Sequence, residues 1–169
     1  MRRIALPLMI AVAALLVACG QPTGGTKSSP DISKVKKLHR GELSAIDSYD
    51  EALRKLPNLT TIDLATIKAH HSDSAERLRG RIVALGGSPD ASAGPWSDWA
   101  EGVTKAGAAF GEDAGLRALR AGERHGRNEY AEALDASDVD AETKTLIRDI
   151  LLPRQDEHIR ILDGGIKTN

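Results

Sequence analysis

Apolar residues recur every three or four positions from about Asp31 to Asp163, which is the period of an amphipathic α-helix. The pattern breaks three times, so it predicts four helices: two hairpins with short turns, joined by a long connection over residues 88–111. This predicts an all-α fold, a four-helix bundle of two antiparallel hairpins joined by a long crossover. The predicted helices are residues 31–56, 61–85, 112–136 and 138–163.

Helix ends are marked by residues that favour or break helices. Pro57 and Asn58 are expected to end the first helix, and Gly86 and Gly87 the second. Either Asp138 or Asp140 is expected to cap the fourth helix, which Pro153 should interrupt and kink. The long connection carries Trp96 and Trp99, a pair that more often covers a bundle end than binds a ligand.

A short motif occurs twice in the chain. Gly41, Glu42 and Tyr49, followed by Glu-Ala-Leu at 51–53, recur at the same spacing as Gly122, Glu123, Tyr130 and Glu-Ala-Leu at 132–134. Each copy lies on the first helix of a hairpin. The repeat is consistent either with a duplicated packing unit or with a duplicated functional one.

The N-terminal segment has the features of a targeting signal. Arg2 and Arg3 precede an apolar run from Ile4 to Ala18 that is too short to span a membrane, as in a secretory signal peptide. Residues 16–19, Leu-Val-Ala-Cys, resemble the lipobox of bacterial lipoproteins. That resemblance implies cleavage after residue 18, a lipid on Cys19, and a place on the periplasmic or extracellular face of the cell envelope.

The expected organisation follows from these segments: signal peptide 1–18, lipidated cysteine and flexible tether 19–30, bundle 31–165 and tail 166–169. Composition adds two exclusions. With a single cysteine the chain has no internal disulfide and no cysteine-based metal site. A net charge of −1 gives no excess of basic residues of the kind that binds nucleic acid. The expected partner is therefore the membrane, reached through Cys19.

Polar residues interrupt the apolar faces of all four helices. Glu42 and Glu123 lie on the apolar stripes of the first and third helices, His71 on that of the second, and Arg154 and His158 on that of the fourth. A buried carboxylate needs a cation, a metal or a proton, because desolvating an isolated charge is costly. Carboxylates and imidazoles together suit iron or manganese.

The expected positions of these residues along the bundle axis favour a site in the second hairpin over one in the first. A turn near residue 138 places Glu123 opposite Arg154, with His158 one helical turn further. A turn near residue 58 places Glu42 opposite about residue 75, so Glu76 or Arg77 is expected nearer to it than His71. An ion pair with Arg154 would satisfy Glu123 without any metal. The sequence therefore favours the second half of the site, Glu123 with His158, and predicts a poor fit between Glu42 and His71.

These features give residues 37–162 a resemblance to the ferritin–rubrerythrin superfamily and, more narrowly, to an uncharacterised bacterial stress-associated four-helix-bundle family. The resemblance implies that Glu42 and Glu123 correspond to the single metal-binding glutamates, and His158 to the histidine of the fourth helix. Gln155 stands where the family's Glu-x-x-His motif has its glutamate. The second helix lacks that motif, and its nearest candidates are His70, His71 and Glu76. Because adjacent helical residues point about 100° apart, His70 cannot face the same metal as His71 and is expected to face solvent or a partner. Side-by-side pairing in such bundles allows a homodimer.

Two functions remain open from sequence. The favoured one is a non-enzymatic, membrane-anchored envelope or stress-related protein that keeps a degenerate polar layer as salt bridges. The alternative is an iron- or manganese-binding protein, with oxidase-type chemistry, whose Glu/Glu/His ligands accept hydrogen bonds from Tyr49 and Tyr130. The arginines distinguish the two functions. If Arg154 reaches Glu123 and either Arg77 or Arg79 reaches Glu42, a metal is excluded by charge and by occupancy.

Overall fold

In a computed structural model, the protein is an all-helical bundle over the residues that the structure describes, which are 30–55, 62–94, 102, 105, 107, 109 and 111–166. Four helical segments pack together, as predicted, and this part of the chain contains no strand. The fourth segment, residues 141–165, is interrupted by a π-helical turn at Ile147–Leu151. The α-helices are α1 (Pro30–Lys55), α2 (Leu64–Ala84), α3 (Glu112–Asp135), α4 (Ala141–Leu146) and α5 (Leu152–Gly165).

Side-chain pairs between the helices define the topology. Asp50 on α1 pairs with Lys68 on α2, whereas Ile32 approaches Gly87 just beyond the other end of α2, so α1 and α2 run antiparallel. The ion pairs Arg120–Asp163 and Arg127–Asp156 show the same for α3 and α5.

The two hairpins also face each other in an antiparallel sense. Lys37 on α1 pairs with Glu129 on α3, and Tyr49, further along α1, bonds Glu123, earlier on α3. The end of α2 and the start of α3 therefore lie at opposite ends of the bundle. This is the arrangement of two hairpins joined by a long crossover that the sequence predicts.

Helix ends follow the capping residues closely. Asp63 caps α2 by accepting a hydrogen bond from the Thr66 amide at 2.9 Å. Of the two candidates for the fourth segment, Asp140 is the cap, and it accepts from the amides of Glu142 and Thr143. At the end of α2, Gly86 adopts a φ of +79°, which ends the helix as predicted because glycine enters this region without strain.

Pro153 interrupts the fourth segment through a change of helical type. The π-helical turn at Ile147–Leu151 comes directly before α5, whose first turn contains Pro153. Proline has no backbone N–H to donate, so no regular α-helical hydrogen bond exists at that position. The preceding turn can therefore widen without losing one. The buried positions of this segment are Ile147, Leu151, Gln155, His158 and Leu162.

The core consists of two apolar clusters separated along the bundle. One contains Val35, Leu78 and Ile147, and the other contains Ile67, Leu116 and Leu162. On each helical segment the polar residue singled out by the sequence lies between the two clusters. Leu53, whose spacing from Glu42 and Tyr49 continues the apolar stripe of the first helix, is instead 40% exposed at the end of α1.

Several predicted features lie outside the described residues. These are the signal peptide, Cys19, most of the tether, Pro57 and Asn58, the two tryptophans and the final residues 167–169. Among the described residues, no helix is both long and apolar enough to cross a membrane.

Candidate functional site

A buried polar layer lies between the two apolar clusters and takes residues from all four helical segments. We define the polar layer as Glu42 on α1, His71 on α2, Glu123 on α3, and Gln155 and His158 on α5. Each of the five residues is at most 5% exposed. The 3.6-residue period positions them, because each sits on the apolar stripe of an otherwise amphipathic helix.

His71 lies at the centre of the polar layer and joins its two carboxylates. Its Nδ1 is 2.8 Å from Glu42 Oε2, and its Nε2 is 3.0 Å from Glu123 Oε1. Burial lowers the pKa of His71, but the two carboxylates together outweigh burial and raise that pKa to about 10. At neutral pH the ring is therefore an imidazolium that donates one hydrogen bond to each glutamate.

Glu123 is the most heavily bonded member of the polar layer. Its Oε2 lies 3.3 Å from His158 Nδ1 and accepts a bond from the side-chain amide of Gln155. The same amide also donates to the Glu123 backbone carbonyl at 3.1 Å. Burial raises the pKa of Glu123, but the charge and hydrogen bonds of His71 and His158 lower it to about 2, so this carboxylate is ionised.

The two tyrosines of the repeated motif cross between the copies. Tyr49 donates to Glu123 Oε1 at 2.5 Å, and Tyr130 donates to Glu42 Oε1. Burial, followed by the charge of the partner carboxylate, raises the pKa of both phenols well above the usual value, so both stay protonated. The repeat is thus a reciprocal pair of bonds between α1 and α3, each tyrosine holding the glutamate of the other copy.

Three members of the polar layer could hold one metal ion. His71, Glu123 and His158 each offer one ligand atom, and the three atoms lie within 4.8 Å of one another. Two imidazoles and one carboxylate are a donor set that suits iron(II) and leaves coordination positions open. The second carboxylate, Glu42, contacts the same His71 ring and lies next to this group.

Comparison with known proteins places the chain in a family. Residues 31–136 match the family described as a domain of unknown function, DUF2383. The chain belongs to the DUF2383 family. No curated protein and no solved structure matches it. The matched segment runs from α1 to the end of α3, so it contains Glu42, His71, Glu123 and both tyrosines, whereas His158 lies beyond it.

Arg154 is placed differently from the prediction. It donates to Asp73 at 2.5 Å and lies 3.5 Å from Ser74, rather than pairing with Glu123. The Glu123–Arg154 ion pair, considered from sequence as the metal-free alternative, is therefore not formed. The π-helical turn explains the difference, because a turn of more than four residues makes the inward positions step by four. The buried positions therefore run from Ile147 to Leu151 to Gln155, and Arg154 lies beside them.

The first half of the site is also better formed than predicted. The contact between His71 and Glu42 contradicts the expected poor fit, because the long glutamate side chain and the ring together span an offset of about one helical turn. Glu76 points away: its side chain is 72% exposed and pairs with Arg79 at 3.6 Å. Arg77 donates to Asp73. None of the three arginines considered from sequence bonds a polar-layer carboxylate.

The sequence analysis missed a contact between His70 and His158. His70 was expected in solvent or at a partner, yet its Nδ1 lies 3.1 Å from His158 Nε2. The two rings stack with centroids 5.3 Å apart and planes 12° from parallel. Adjacent helical residues point about 100° apart, so His71 faces the carboxylates while His70 reaches α5 along the neighbouring interface. Nothing in the pattern of α2 alone reveals this contact.

Proposed function

We propose that the polar layer binds one divalent transition-metal ion, iron or manganese, through His71, Glu123 and His158. The observation that carries the proposal is the convergence of these three ligand atoms, within 4.8 Å of one another, from three different helical segments. Glu42 supplies a further carboxylate beside them. Bound iron would bring one-electron redox chemistry to this buried position.

Within the part of the chain that the structure describes, the three arginines considered bond other carboxylates, which supports a metal over permanent salt bridges. Arg154 and Arg77 are both committed to Asp73, and Arg79 to Glu76. The positive charge in contact with Glu42 and Glu123 is thus the proton on His71. A divalent cation in place of that proton adds one positive charge beside the two carboxylates. Neutralising a buried charge in this way is favourable.

The surrounding residues would hold the ligands in position. Tyr49 and the Gln155 amide fix the two oxygens of Glu123, and His70 bonds the ring nitrogen of His158 that points away from Glu123. Such bonds set the orientation and tautomer of metal-binding side chains. We propose in addition that the bundle belongs to the ferritin-like superfamily. The helix topology and these hydrogen bonds around the ligands support this proposal.

A second candidate function needs no metal. Each carboxylate of the polar layer already accepts hydrogen bonds from within the described part of the protein, so the layer can serve as a satisfied structural core. The protein would then be a non-enzymatic envelope protein that acts through its surface, the function that the sequence analysis favoured.

Metal content distinguishes these functions. We would load the chain anaerobically with Fe(II) or Mn(II), remove free metal and measure the bound metal in the parent, Glu123→Gln and Glu76→Gln. We expect near one equivalent in the parent and in Glu76→Gln, whose site lies on the exposed face of α2, and almost none in Glu123→Gln. No metal in the parent would leave the structural function as the answer.

We propose further that the bundle is tethered to a membrane of the cell envelope through a lipid on Cys19. The support is the apolar run ending at Ala18, the cysteine that follows, and the Gly/Ser/Thr/Pro-rich stretch before α1. Labelling of growing cells with palmitate, followed by membrane fractionation, tests this. The parent should carry label and sediment with membranes, whereas Cys19→Ser should do neither; label on the variant would rule out this anchor.

A further inference from the structure

A cavity lies between α1 and α3 and reaches the polar layer. It has a volume of about 70 Å³. A cavity of that size holds a few water molecules, because about 10–15 Å³ is enough for one. Six residues of the site line it: Glu42, Tyr49, His71, Glu123, Tyr130 and Gln155.

Small residues on both helices create this cavity. They lie on the facing sides of α1 and α3, and we call the space between them the α1–α3 cleft. They are Gly41, Ser44, Ala45 and Ser48 on α1, and Gly122 and Gly126 on α3. A Cβ atom built on Gly41 would meet no atom within 4 Å, so this side of the cleft has free space.

The opposite side of the polar layer is closed by side chains. His70 stacks on His158, and Arg154 spans from α5 to Asp73 on α2. The cleft is therefore an approach to the layer from the side opposite these closing contacts. Its rim carries charge, since Glu129 on α3 pairs with Lys37 across the cleft and with His125 on its own helix at 3.8 Å.

We infer that the α1–α3 cleft is the port through which a divalent cation, and ligands of about the size of water, reach the buried carboxylates. The identity of the cation rests on the proposed function, but the route itself does not. A volume of about 70 Å³ accommodates a cation together with a few water molecules. Carboxylate and phenol oxygens at the inner end replace the water shell that an entering cation gives up.

Plugging the port tests the inference with metal. Gly41→Leu fills the cleft. Gly80→Leu is the matched control, because Gly80 is also a helical glycine with open space around it, but it lies on the exposed face of α2, away from the cleft. We would follow Co(II) binding by its visible absorption after rapid mixing. We expect association and dissociation at least about tenfold slower in Gly41→Leu, with unchanged stoichiometry. Parental rates in Gly41→Leu would overturn the port.

A second measurement tests the route without metal. In a Cys19→Ser background, Ser48→Cys places a thiol on the cleft wall, and Ser74→Cys places one at a comparably buried position on α2. Methyl methanethiosulfonate, a small uncharged thiol reagent, should modify the first faster than the second. Adding Gly41→Leu should slow the first alone. Equal reactivity at the two positions, or no effect of the plug, would overturn the port.

The two measurements separate the two ideas. If the parent binds no Co(II) but Ser48→Cys reacts selectively, the proposed metal function fails while the port remains. If the parent binds Co(II) and neither plug result appears, the metal function remains and the port fails.

Discussion

At the scale of single residues, His71 is the central member of the polar layer, because its ring bonds two buried carboxylates that would otherwise repel each other. Its two nitrogens face Glu42 and Glu123 at 2.8 and 3.0 Å. The ring must be protonated to donate to both. The stability of the metal-free protein should therefore depend on pH in a direction set by these groups.

The pKa of His71 rises on folding from 6.5 to about 10, so its contribution to stability is complete below pH 6.5 and is lost as the pH rises towards 10. The pKa of Glu123 falls from 4.5 to about 2, so its contribution is complete above pH 4.5 and is lost as the pH falls towards 2. We expect the urea midpoint, measured with chelator present, to be highest between these limits. In His71→Gln the alkaline loss should flatten, whereas exposed His125→Gln should keep it; equal alkaline slopes in both variants would contradict the assignment.

The two tyrosines should differ in their effect on stability. Glu42 accepts from Tyr130 and His71, whereas Glu123 accepts from Tyr49, His71, His158 and Gln155. Tyr130→Phe therefore removes a larger share of the bonds to its carboxylate. We expect it to cost about 1–3 kcal/mol of unfolding free energy in urea titrations, and Tyr49→Phe to cost less. The reverse order would mean that the crossed bonds are not as described.

At the scale of the helices, capping gives a test with a built-in control. Asp140 accepts from two backbone amides and pairs with Arg81 at 2.8 Å, while Asp138 pairs with Lys34 outside any cap. Asp140→Ala should lower the unfolding free energy by about 1–2 kcal/mol, and Asp138→Ala by about 0.5 kcal/mol or less. Similar losses from the two changes, measured by urea denaturation, would argue against Asp140 as the cap.

Helical periodicity explains why much of the fold and part of the site could be predicted. The period of 3.6 placed Glu42, His71, Glu123 and His158 on inward faces, and all four are buried. Pro153 predicted an interruption but not its type. Through the π-helical turn the inward positions step by four residues, so Gln155 rather than Arg154 faces inward, whereas His158 stays on the predicted stripe.

Pairing between helices could not be predicted in the same way. Contact between His71 and Glu42 depends on the relative shift of α1 and α2, which a turn position estimates only to about one helical turn. The contact of His70 with His158 depends on how α2 and α5 rotate against each other. Such shifts and rotations come from side-chain packing across the whole bundle, which one helix's pattern does not contain.

At the scale of the whole molecule, the bundle places one polar layer between two apolar clusters, and each helical segment contributes to all three levels. The duplicated motif supplies the carboxylates and tyrosines of both hairpins. The α1–α3 cleft connects the layer with the surface on one side. The architecture thus holds a charged, bonded group of ligands in a core that is otherwise apolar.

The most direct test of the account is anomalous diffraction from crystals of the chain loaded with Fe(II) or Mn(II), with data collected at the absorption edge of that metal. We predict one anomalous peak in the polar layer, about 2 Å from a ring nitrogen of His71, a ring nitrogen of His158 and an oxygen of Glu123. The peak should vanish in Glu123→Gln. A fully loaded crystal without a peak among these three residues would contradict the central claim and leave the layer as a structural core.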